Sequence, residues 1–180
     1  MLTNAHNPED VVVRLADEAD LGGVLELLRT SIGDMQRRGL DQWDEQYPTR
    51  ATVEADVRTG ALYVAVTDSA RSVVGAFTMN QHQDPEYGDV AWGFTSPPVA
   101  VVHRLMVHPD AQRTGLGRFL MRFAERRALK LGFHALRLDT LDTNVRALAL
   151  YRGLGYREAG LVTFRKGLFV CFETDLRQGD

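Results

Sequence analysis

Pro109-Asp110-Ala111-Gln112-Arg113-Thr114-Gly115-Leu116-Gly117-Arg118 sets a glutamine, two glycines and two arginines between a β-branched run and an amphipathic one. Those residue types at that spacing suit anion binding. Glycine lets a backbone turn sharply and approach a ligand closely, and the first amides of a following helix have no intrahelical acceptor. The helix dipole adds about 0.3–1 kcal/mol per exposed anionic contact. Arg113 and Arg118 bring forked donors that match phosphate oxygens. From Arg104 to Arg127 six arginines stand against only Asp110 and Glu125, so this region is basic in a chain of net charge −3.

Three phosphate-binding patterns compete for the segment. A P-loop needs Gly-Lys-Ser/Thr, and the only lysines are Lys130 and Lys166, which excludes it. A dinucleotide fingerprint needs a third glycine where Gly115-Leu116-Gly117-Arg118-Phe119-Leu120 has leucine, and it belongs after the first strand instead of far along the chain. The third pattern fits best. Leu105-Met106-Val107-His108-Pro109-Asp110-Ala111-Gln112-Arg113-Thr114-Gly115-Leu116-Gly117 resembles motif A of the GCN5-related N-acetyltransferases, Gln/Arg-x-x-Gly-x-Gly/Ala. A second stretch, Leu138-Asp139-Thr140 through Asn144 to Ala147-Leu148-Ala149-Leu150-Tyr151-Arg152-Gly153-Leu154-Gly155-Tyr156, resembles motif B of the same family.

The resemblance implies acetyl-CoA as co-substrate. Its pyrophosphate would lie on the amides of Arg113, Thr114, Gly115, Leu116, Gly117 and Arg118, beside Gln112. Its pantetheine would pair with the strand end Leu105, Met106 and Val107, as an added strand would. Asn144 would hold the pantetheine arm, and Tyr151 would protonate the departing thiolate. A backbone amide near Val107 would serve the developing oxyanion. Two plainer roles stay open: Asn144 can cap the helix it begins, and Tyr151 lies on an apolar stripe with Ala147, Leu148 and Leu154.

Proton removal is the larger catalytic demand. A thiol near pKa 8.5 leaves readily, whereas an alkyl ammonium near 10.4 must lose a proton, at about 4.6 kcal/mol at pH 7. Several members of the family place a glutamate base where this chain has Val101. His103 lies two residues on, hence on the same strand face, and is expected to act as the base. A satisfied strand histidine is the plainer reading.

Specificity is expected from the least regular segments, residues 33–50 and 82–98. Trp43 and Glu45 in the first, and Asp84 and Trp92 in the second, are the candidate acceptor-binding residues. Acidic groups beside aromatics suit a cationic amine, so the expected acceptor is a small primary amine or amino-acid-like compound. Alternatives are a protein N-terminus as acceptor, or a CoA-responsive module without turnover. The five histidines lack paired ligand spacing and a carboxylate cluster, so no metal is expected.

These residues need a scaffold of modest size. The chain has 180 residues, 44% hydrophobic and 25% charged, in the range of one compact domain able to bury a core without staples. One cysteine excludes an intrachain disulfide, and no targeting or spanning segment is evident, so a cytoplasmic location is expected. The slightly acidic balance argues against a general nucleic-acid binder. A homodimer is left open.

Periodicity predicts strands over 11–15, 62–67, 73–79, 99–107, 135–140, 156–162 and 168–176. Between them it predicts helices capped by Asp20 and fading near Gly33, over 52–58, led into by Gly115 and Gly117 along a stripe of Leu116, Leu120, Phe123, Ala124 and Leu131, and over 144–154. Gly22-Gly23 is expected to weaken the first helix, and 33–50 to form a partly helical flap. The order β-α-α-β-β-β-α-β-α-β-β predicts a mixed, mostly antiparallel twisted α/β sheet flanked by helices, as in the acyl-CoA N-acyltransferase fold. One domain over 11–176 is expected, with flexible ends at 1–10 and 177–180.

Overall fold

A computed structural model describes residues 11–67 and 72–177. The predicted turn at 68–72 lies outside them except for Ser72, and the expected flexible ends lie outside them except for Arg177.

The element order matches the expectation, with short 3-10 turns added. Strands β1 (Val11–Leu15), β2 (Leu62–Thr67), β3 (Val73–Asn80), β4 (Val99–Val107), β5 (Ala135–Leu141), β6 (Arg157–Phe164) and β7 (Gly167–Asp175) form one mixed, mostly antiparallel sheet in the order β1-β2-β3-β4-β5-β7-β6. Four α-helices accompany them: α1 (Leu21–Arg37), α2 (Arg50–Arg58), α3 (Leu116–Lys130) and α4 (Val145–Gly153). The chain divides into two compact units, Met1–Thr78 with Arg104–Phe123, and Met79–His103 with Ala124–Asp180.

In the first unit β1 and β2 pair antiparallel from Val11↔Thr67 to Leu15↔Tyr63, and β2 and β3 from Leu62↔Thr78 to Val66↔Val73. Helix α1 begins where expected, with Asp20 at its N-cap position, but Asp20 makes no side-chain cap there and the helix runs on past its expected end near Gly33. Its start is set by Asp17, whose carboxylate accepts from the Ala19 amide in a capping box that opens a 3-10 turn. Asp20 instead receives the Arg14 guanidinium at 2.6 and 2.8 Å. Gly23 is a packing device, because a Cβ there would stand 2.7 Å from Val73 Cγ2. The helix continues past Gly33 since no proline stops it, and Asp34 pairs with Arg37 and Arg38 one turn on. Beyond Arg38 the flap is not helical, and Trp43 is buried within it.

In the second unit β5 runs between β4 and β7. It pairs parallel with β4 only over Val99–Val101 and Ala135–Arg137, then antiparallel with β7 along its whole length. Asp139 therefore lies beyond the last β4 pairing. Alternation fixes the faces: Leu136 and Leu138 are fully buried on one side, and Arg137 and Asp139 share the other. Leu131 does not join the stripe of α3; it follows the helix end and is half exposed, while Phe133 is buried.

Candidate active site

The loop between β4 and α3 is built for backbone contacts. Pro109–Ala111 forms one 3-10 turn, capped by the His108 side chain, which accepts from the Asp110 amide. The chain then passes through two left-handed residues, Arg113 at φ 65° and Gly115 at φ 95°, before α3 begins at Leu116. A non-glycine residue in that region costs energy, and such strain collects where a loop must present its amides in one direction. Two side chains hold the bend. Gln112 Nε2 donates to the Val107 carbonyl at 3.3 Å and to Asp34 Oδ2 at 3.4 Å, and Thr114 Oγ1 donates to the Ala111 carbonyl at 2.7 Å. Leu116 is buried, anchoring the first turn, while Arg113 and Arg118 are exposed. The loop thus offers first-turn amides with no intrahelical acceptor, at the positive end of a 15-residue helix.

The second unit carries a cluster of buried and half-buried side chains, with Tyr87, Tyr151 and Cys171 buried and Asp139 half-buried. Tyr87 Oη donates to Asp139 Oδ2 at 2.6 Å. Burial pushes the Asp139 carboxyl up to about 6; the Tyr87 hydrogen bond opposes the rise and the charge of Asp84 adds to it. The same burial, with the charge of Asp139, pushes the Tyr87 and Tyr151 phenols well above their ordinary value and the Cys171 thiol up to about 12. Tyr151 is buried, with ring centroids 6.1 Å from Tyr156 and 5.5 Å from Phe172. Asp139 is the group of this cluster whose proton is exchangeable near neutral pH.

The loop bearing Tyr87 is held by a buried acid. Glu173, fully buried on β7, accepts from the Gly93 amide at 2.7 Å and the Phe94 amide at 3.2 Å, and pairs with Arg157. Arg137 stacks 4.1 Å over the Trp92 ring and donates to Gln83 Oε1 at 2.6 Å and the Phe94 carbonyl at 2.9 Å. Gln83, Trp92 and Arg137 border a cavity of about 620 Å³ whose wall also includes Asp84 and Tyr87.

Of the residues singled out in the sequence, Leu105, Met106, Val107 and Gln112 through Arg118 fall in the first unit, together with buried Trp43 and exposed Glu45. His103, Asn144, Tyr151, Asp84 and Trp92 fall in the second. Asn144 caps α4, its Oδ1 accepting from the Ala147 amide at 3.3 Å. His103 Nε2 lies 3.1 Å from Asn80 Oδ1. Asp84 and Trp92 share one cavity. Sequence reasoning gives no role to Arg137 or Glu173, sets Asp139 only within the motif B stretch, and counts Tyr87 only among the aromatics of the acceptor loop. A signal for Arg137 and Asp139 is present in Ala135-Leu136-Arg137-Leu138-Asp139, where charges occupy every second position of an otherwise apolar strand; Tyr87 and Glu173 have none of that kind.

The chain belongs to the acetyltransferase (GNAT) family, whose model matches residues 27–156. A solved acetyltransferase of the GNAT family from Streptococcus agalactiae superposes with TM-score 0.81 over 96% of this chain and 98% of its own, at 19% identity. A putative acetyltransferase from Salmonella typhimurium, solved with its cofactor acetyl-CoA, gives TM-score 0.64 at 20% identity, covering 94% of this chain and 96% of its own. The [ribosomal protein bS18]-alanine N-acetyltransferase of Escherichia coli K12 is 40% identical over 60 residues, which are 33% of this chain and 40% of that one. The chain spans 30 to 40% of the length of the curated relatives it matches. Among the described residues no helix is long and apolar enough to cross a membrane, and no cluster of three or more His, Cys, Asp or Glu could hold a metal ion.

Proposed function

We propose that the chain transfers the acetyl group of acetyl-CoA directly to a small primary amine, with Asp139 taking the amine proton. The observation that carries this reading is the Asp139 carboxyl, raised to about 6 beside Tyr87 at the point where β5 has left its β4 ladder. In the transfer, the amine nitrogen forms a bond to the thioester carbon, the carbon–sulfur bond breaks, and CoA leaves with the sulfur electron pair. An ammonium near 10.4 lies about 4.4 units above such a carboxyl, so full proton transfer before attack costs about 6 kcal/mol. The acceptor therefore attacks as the neutral amine, its first proton having gone to solvent at about 4.6 kcal/mol at pH 7, and Asp139 takes the second proton as nitrogen bonds to carbon and loses basicity.

Tyr151 has a different task from the one the family resemblance suggested. A phenol raised by burial is a weaker acid than a thiol near 8.5, so it serves the departing sulfur as a hydrogen-bond donor and keeps its proton. The amides of the Gln112–Arg118 loop, with Arg113 and Arg118, take the coenzyme diphosphate, and Leu105 to Val107 take its pantetheine. His103 is the competing base; its bond to Asn80 is compatible with either role.

Mixing the protein with acetyl-CoA and a panel of primary amines tests this, read as free thiol and as N-acetylated product by mass spectrometry. Release with small amines is the expected outcome. Thermal stabilisation by CoA with no thiol release from any amine would instead support a binding module. A second reading, a peptide N-terminus as acceptor, is favoured by the 40% identity to the alanine N-acetyltransferase and predicts release only with peptides.

A further inference from the structure

We propose that the cavity floored by Arg137 binds a carboxylate of the acceptor, so that the preferred substrate is a primary amine that also carries an acid group, an amino acid in the simplest case. This rests on the amine-acetylating reading and names its substrate class.

Three observations converge on Arg137. It is 6% exposed, yet it lines an open cavity of about 620 Å³. Its acceptors are neutral, the Gln83 amide oxygen and the Phe94 carbonyl, and its Nε is buried with no hydrogen-bond partner. A buried guanidinium with an unused donor is costly, and a carboxylate is the group whose two oxygens match its fork. Glu173, its cross-strand partner on β7, acts on Arg137 by charge, but Arg157 and the Gly93 and Phe94 amides already engage it by hydrogen bonds.

The opposite charge stands on the same wall. Asp84 lines the cavity with Arg137, and Tyr87, also in the lining, bonds Asp139. Arg137 and Asp139 are two residues apart on one strand face, a spacing of about 6.6–6.8 Å. A molecule with a cationic amine at one end and a carboxylate at the other meets Asp84 and Arg137 in the lining, and Asp139 is joined to that wall through its bond with Tyr87. Trp92 and Tyr87, with ring centroids 5.1 Å apart, give it an apolar flank. A peptide N-terminus presents an amide where the free amino acid presents its carboxylate, so the pocket discriminates against it.

The test compares matched pairs differing only in the acid group: phenylalanine with phenethylamine, leucine with isoamylamine, lysine with cadaverine. In the unmodified protein the carboxylated member of each pair is expected to show at least tenfold higher kcat/KM, carried mainly by KM. Arg137→Gln should bring the ratio within twofold while leaving the acetyl-CoA KM unchanged; Arg137→Lys, which keeps charge and stem, covers the case where the glutamine variant does not fold. Calorimetry separates this proposal from the transferase reading, because it needs no turnover: N-acetylphenylalanine should bind the unmodified protein at least tenfold more tightly than N-acetylphenethylamine. Equal affinity within twofold overturns the carboxylate pocket even if amines are acetylated. Tighter binding of the acid upholds it even if no thiol is released.

Discussion

In the proposed function, the loop at Gln112–Arg118 and the cluster around Asp139 work by opposite means. The loop works through its backbone: its side chains are braces, such as Gln112 on Val107, or exposed arginines, and its chemistry lies in where the amides point. The cluster works through side chains withdrawn from water, and burial is the first cause of every perturbed proton in it. A backbone device tolerates changes of side chain and fails when its φ angles change. A buried side-chain device does the reverse, keeping its shape while losing its chemistry when a single atom is exchanged.

Asp139→Asn is the sharpest way to separate the two and should have the largest effect. The amide keeps the acceptor for Tyr87 Oη but cannot take a proton, so kcat should fall by about 10²–10⁴ while acetyl-CoA affinity stays within a factor of two. The rise of kcat/KM with an apparent pKa near 6 should vanish with it. His103→Ala with that limb intact would leave Asp139 as the base; loss of the limb in His103→Ala, with Asp139→Asn still active, would reverse the assignment.

The same substitution should also alter stability, with a sign that depends on pH. The ordinary aspartate value is 3.8 and the folded value is about 6, so the folded state holds this proton more tightly than the unfolded one. Stability from this group is therefore full below pH 4 and is lost as pH rises through 6, by about 3 kcal/mol at most. The asparagine side chain, which does not titrate, has no such loss. Denaturant unfolding should show the variant more stable than the parent by about 1–3 kcal/mol at pH 8 and similar to it at pH 4. No gain at pH 8 would mean that the carboxylate is better solvated than its burial implies.

Gly115→Val probes the loop. At φ 95° a β-branched residue costs about 1–2 kcal/mol or moves the turn, so acetyl-CoA binding should weaken about tenfold or more. Arg113→Ala removes one exposed donor, itself at φ 65°, and should weaken it about two- to fivefold with a salt dependence that the glycine variant lacks. Calorimetry at two ionic strengths distinguishes them.

This contrast also explains which parts were legible in the residues. Gly115, Gly117 and Gln112 advertise the loop because a backbone device needs special residues at fixed spacing, and strand and helix periods place it. The element order was readable for the same local reasons. Helix α1 misled because Gly23 serves packing against Val73, a contact distant in sequence, and because Asp20 was held by Arg14 instead of capping the helix. Tyr87 and Asp139 are 52 positions apart, and nothing local signals their bond. A raised carboxyl is a property of surroundings, and surroundings are written in the fold.

Tyr87→Phe makes the smallest and most discriminating change to the cluster. Its hydroxyl is the group that holds the Asp139 carboxyl down against burial and against Asp84. Removing the hydroxyl takes a donor from the ionised form and leaves the desolvation in place, so the acidic limb of kcat/KM should move up from near 6, by about half to one unit. Rates above pH 8 should hardly change, since Asp139 is ionised there in both proteins. A limb that stays fixed would place the titrating group elsewhere, and a limb that moves down would mean that the phenol had been screening the carboxyl from water instead of bonding to its charge.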